Sequence, residues 1–89
     1  MRITKRNGNP VIYDDDKLVS SILKANRETD EELSPAAAAY LSDVVIGRLA
    51  KEHDIITTAL IRAGVTRALR ERGLPMTAQK YRDFSKAEP

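Results

Sequence analysis

Four stretches of this chain place apolar residues three and four apart, and each stretch begins or ends at a residue that starts or stops a helix. Leu18, Val19, Ile22 and Leu23 carry the first, over about 15–27, behind Asp14 and Asp15. One of the two caps the helix, and acids in its first turn suit the positive end of its dipole. Ser34-Pro35 opens the second, over about 35–52, as an N-cap followed by proline at the first helical position. Alanines 36–39 favour helix, and Tyr40, Leu41, Val44, Val45 and Leu49 continue its apolar stripe. Thr57 or Thr58 caps a third, over about 57–72, with Leu60, Ile61, Val65, Ala68 and Leu69 on one side and Gly73 as its stop. Gly64 lies inside that helix at a cost of about 0.5–1 kcal/mol relative to alanine, which points to a close approach of another helix. Leu74-Pro75 turns the chain into a last helix over about 76–86, with Tyr81 and Phe84 on one face.

The first thirteen residues read differently. Asn7-Gly8 is a strong two-residue hairpin signal, because both positions tolerate positive φ. Ile3 and Lys5 alternate with polar neighbours, and Val11-Ile12-Tyr13 is β-branched and aromatic. The expectation is a hairpin over 2–13, with Pro10 at a strand start or edge. The fold class expected is therefore α+β, a small antiparallel sheet packed on a four-helix bundle, with residues 1–89 forming one domain.

With one Phe, three Tyr and no Trp, the core of this 89-residue chain must be aliphatic. The absence of cysteine excludes disulfides and thiolate metal sites and favours a cytoplasmic setting. No apolar run approaches the ~20 residues of a membrane span, and the basic start leads into no signal-peptide core. A net charge of +2 is too mild to demand a nucleic acid. No nucleophile, base and orienting group assemble from one His and no Cys, so no catalytic residues and no protein-bound metal are expected. His53 reads as an exposed cap at a helix end. Nothing matches the glycine-rich phosphate loop of the common nucleotide-binding enzymes.

Lys5-Arg6-Asn7-Gly8, followed by Tyr13-Asp14-x-x-Lys17-Leu18, resembles the opening of the ATP-cone family, and Ala78-x-x-Tyr81-Arg82-x-Phe84 resembles its closing helix. The resemblance covers nearly the whole chain. It implies a regulatory domain, without chemistry of its own, that binds ATP or dATP and controls a ribonucleotide reductase or an associated protein through subunit association. The partners implied are an adenine nucleotide and either a second copy or a reductase subunit, with Mg²⁺ carried by the phosphates. The family's transcriptional repressor has a Cys-rich zinc ribbon before its cone. This chain has no Cys, so it is expected to be either a cone from a larger reductase or a free-standing one.

Residue by residue, the resemblance implies that Lys5 and Arg6 hold the triphosphate, Arg as a fork and Lys as a point charge. From the residues alone they read first as a solvated basic strand end, and the resemblance reverses that reading. Gly8 makes the turn, with phosphate contact secondary. Asp14 accepts the adenine amino group, or simply caps the first helix, and Lys17 reaches ribose or phosphate, or pairs with Asp14. Ile3, Tyr13, Leu18 and Leu60 form the slot for the base, or belong to the core. Thr57 lies near the sugar and phosphates or caps its helix, and Ile61 stands where some members carry a ribose-facing His. Val11 replaces an acid that in some members grips the adenine amino group. The alternatives are a helical nucleic-acid-binding module using Arg62, Arg67, Arg70 and Arg72, which spread around their helix, and a plain protein-interaction bundle.

Overall fold

The computed structural model describes residues 2–4, 10–12 and 15–87, with side chains described from Asp15 to Phe84. The order is β1 (Arg2–Thr4), β2 (Pro10–Ile12), α1 (Asp15–Arg27), α2 (Pro35–Glu52), β3 (Ile56–Thr57), α3 (Thr58–Glu71) and α4 (Pro75–Ala87).

Local chemistry fixes most helix ends. Ser34 caps α2, its Oγ accepting from the Ala37 amide at 3.1 Å, with Pro35 in the first turn. Thr57 caps α3 in the same way, accepting from the Leu60 amide at 3.1 Å. At the other end of α3, Gly73 takes φ +87°, and the Leu74 amide donates to the Leu69 carbonyl at 2.9 Å while Gly73 donates to Arg70 at 3.0 Å. This is the paired-bond stop that glycine permits, and it buries Leu74 against the core.

The helices pack in a ring: α1 borders α2 and α4, and α3 borders the same two. Ile22 and Ala25 from α1, Leu41, Val45 and Leu49 from α2, Ile61, Val65 and Leu69 from α3, and Ala78 and Tyr81 from α4 share one core. A β-carbon added at Gly64 would lie 2.9 Å from Val45 Cγ1, so α2 and α3 meet where glycine removes the side chain.

The expected α+β class is corrected to a helical fold. The helices run 13, 18, 14 and 13 residues, against strands of three, three and two. The strand pairing is a short mixed bridge rather than an antiparallel sheet packed on the bundle. β1 pairs antiparallel with β2 and parallel with β3, in the order β2-β1-β3. Among the described side chains, Ile56 is the strand residue that enters the core. The Asn-Gly signal reports local chain reversal, whereas class depends on where apolar area is buried, and here that is between helices. Asn7 and Gly8 themselves lie outside the described residues.

Candidate functional site

The β1–β3 pairing determines what meets at the N-terminal end. Ile3 stands in register with Ile56, and Thr4 with Thr57. Thr4 is thus next to the N-cap of α3, and the chain leaves β1 toward Lys5 from that point. Two residues separate β2 from α1, whose first turn carries Asp15, Asp16 and Lys17.

Of the eleven residues expected at the site, Lys5, Arg6, Gly8, Tyr13 and Asp14 lie outside the described residues. Ile3 is described as backbone on β1. Thr57 and Leu60 are half-buried in the first turn of α3, with the Thr57 hydroxyl engaged in capping. Ile61 is buried, 7% exposed, and faces the core. Lys17 is exposed in the first turn of α1, and Leu18 is half-buried against the core. Ile3, Thr57 and Leu60 therefore lie around the β1–β3 bridge and the start of α3, while Lys17 and Leu18 lie in the first turn of α1.

A separate cleft of about 240 Å³ lies between α2 and α3. Val45, Leu49 and Leu60 form its floor, and Arg48, His53 and Arg67 its rim. Leu60 alone belongs to the expected set. Gly64 was the sequence signal for this close helix approach, but nothing in the sequence marked a hollow there. Arg67 on its rim is paired with Glu71 at 2.9 Å, in an exposed position worth little to stability.

Among the described residues, no three His, Cys, Asp or Glu side chains gather to hold a metal ion. None of the described helices is long and apolar enough to cross a membrane. Among the described residues, the carboxyl of Glu31 is shifted from its ordinary range. Desolvation pushes Glu31 up, but hydrogen bonds from Thr77 and from the Met76 amide outweigh it and hold the group below the usual carboxylate range.

A helical domain whose short N-terminal strand bridge brings Thr4 beside the side-chain-capped start of α3 defines a small bundle with an open helix amino end at its N-terminal side. The chain belongs to the ATP-cone family: the model of the ATP cone domain matches residues 1–87. It is thereby a regulatory nucleotide-binding domain without catalytic activity of its own. No curated protein and no solved structure matches the chain significantly.

Proposed function

We propose that this domain binds ATP and dATP at its N-terminal end and regulates, in the cytoplasm, a ribonucleotide reductase or an associated protein by changing how subunits assemble. The observation that carries this reading is the family match over residues 1–87, which spans both the Lys5-Arg6-Asn7-Gly8 segment and α4. The pairing of Thr4 with Thr57 supports it, because the chain enters the basic pair beside the amino end of α3.

In this reading Lys5 and Arg6 take the triphosphate, with the Gly8 turn keeping the backbone close. Asp14 accepts a hydrogen bond from the adenine amino group, Lys17 reaches ribose or phosphate, and Ile3, Tyr13, Leu18 and Leu60 enclose the base. Thr57 adds a hydroxyl near the sugar while its oxygen keeps α3 capped. Ile61 supports the slot from the core rather than touching the nucleotide, since it is 7% exposed. Mg²⁺ is assigned to phosphate oxygens. ATP and dATP shift assembly only by their difference in affinity for the two association states.

Thermal unfolding with ATP, dATP and GTP tests this. A ligand at a hundred times its Kd stabilises by about 2.7 kcal/mol, a rise on the order of 10 °C in a domain of this size. The expected result is a rise with ATP and dATP and a much smaller one with GTP. Equal rises with all three, or none, would refute adenine recognition.

A further inference from the structure

The loop between α1 and α2 reaches across the bundle to hold the start of α4. Leu74, the residue before Pro75, carries no side-chain oxygen that could cap this helix. The cap comes from Glu31 instead. Its Oε2 accepts from the Met76 amide at 3.1 Å and its Oε1 from the Thr77 amide at 2.6 Å. One carboxylate thus satisfies two of the open donors at the helix start.

A polar cluster backs this contact at the seam between α1 and α4. Thr77 is fully buried, and Asn26 is 8% exposed. Asn26 Nδ2 donates to Thr77 Oγ1 at 3.0 Å and to the Glu31 carbonyl at 2.9 Å. Thr29 Oγ1 lies 3.3 Å from Thr77 Oγ1, donates to the Asn26 carbonyl at 2.8 Å and accepts from the Glu31 amide at 3.1 Å. Each member is satisfied through the others, and the contacts of Asn26, Thr29 and Glu31 with Met76 and Thr77 break together when α4 separates. Partial separation is therefore poorly stabilised, and docking is nearly all-or-none. α4 also contributes Ala78 and Tyr81 to the core, with Phe84 half-buried against it, so the polar cluster acts together with apolar packing.

We propose that Glu31 is a latch: α4 docks on and leaves the groove between α1 and α3 as a unit, and the Glu31–Asn26–Thr29–Thr77 cluster sets the balance between the two states. α1 carries Lys17 near its start and Asn26 near its end, on one helix of 13 residues. A nucleotide at the first turn and the latch at the last therefore act on the same rigid element. This second half rests on the nucleotide site proposed above.

Hydrogen exchange on the full chain tests the latch without nucleotide. Glu31→Gln and Thr77→Val should each speed exchange of the α4 amides by about tenfold, with α2 and α3 unchanged. Uniform acceleration of all four helices, or none in α4, overturns the latch. Repeating the measurement with ATP tests the coupling. ATP should change α4 protection in the wild type, and the change should vanish in Glu31→Gln. Unaltered α4 protection in a protein that calorimetry shows to have taken up ATP overturns the coupling alone. Calorimetry showing no uptake refutes the nucleotide site and the coupling with it, and leaves the latch to be judged by the ligand-free measurement.

Discussion

Gly64 shows how one missing side chain sets the distance between two helices. Alanine there would gain up to about 1 kcal/mol of helix propensity, but its β-carbon would meet Val45 Cγ1 at 2.9 Å. Val45 is β-branched and 5% exposed, so its side chain is restricted in rotation and gives way only at a cost. Overpacking of this kind costs about 1–3 kcal/mol, which exceeds the gain. Gly64→Ala should therefore lower stability by about 1 kcal/mol, or about 4–8 °C in Tm. Melts of Gly64→Ala, Val45→Ala and the double variant should show favourable coupling, because the second change removes the atom in the way. A Gly64→Ala protein more stable than wild type would show that the helices are not held by this contact.

Much at this scale was legible in the sequence. Ser34, Thr57 and Gly73 announce their roles by residue type, and the structure uses each of them as a cap or stop. Glu31 does not announce itself. In the run Asp30-Glu31-Glu32 it reads as a solvated loop acid, and its partners lie 45 and 46 residues away. Only the folded chain brings them together. The candidate site divides in the same way. Lys5, Arg6 and Asp14 acquire meaning through a family pattern, whereas the meeting of Thr4 with Thr57 is a tertiary fact that no local pattern carries.

Among the elements, β3 is the one the sequence concealed. Ile56 and Thr57 are too short a run to display a strand period, and they are extended because β1 pairs with them. The fold class differs from the expectation for a related reason, since hairpin chemistry is local while the buried area belongs to the helices. For α4, the lowered carboxyl of Glu31 gives a pH signature. A group held below its unfolded value adds stability above the unfolded pKa of about 4.3 and loses it as pH falls through the lower folded value. The Tm gap between wild type and Glu31→Gln should therefore be full at neutral pH and close in acid below the folded pKa. Melts at neutral and strongly acidic pH check this. A gap unchanged at the acid end would mean that the charge on Glu31 is not what caps α4.

For the whole molecule, charge is distributed unevenly along the chain. Residues 15–54 hold nine acids against five Lys and Arg, while residues 58–87 hold seven Lys and Arg against two acids. A net charge of +2 conceals this contrast. The radius of gyration is 12.3 Å, about what one compact domain of this length has. In the site proposed above, an anionic ligand would meet the acidic first turn of α1 and would need local cations to hold it. In the proposed site those cations are Lys5 and Arg6. The most direct measurement is titration calorimetry of ATP into the wild type and into the Lys5→Ala/Arg6→Ala variant, at one fixed salt concentration. Wild type should bind ATP, and the variant should bind at least about tenfold more weakly, because two charge-assisted contacts are lost. Equal affinity in the two proteins, with both folded, would contradict the account.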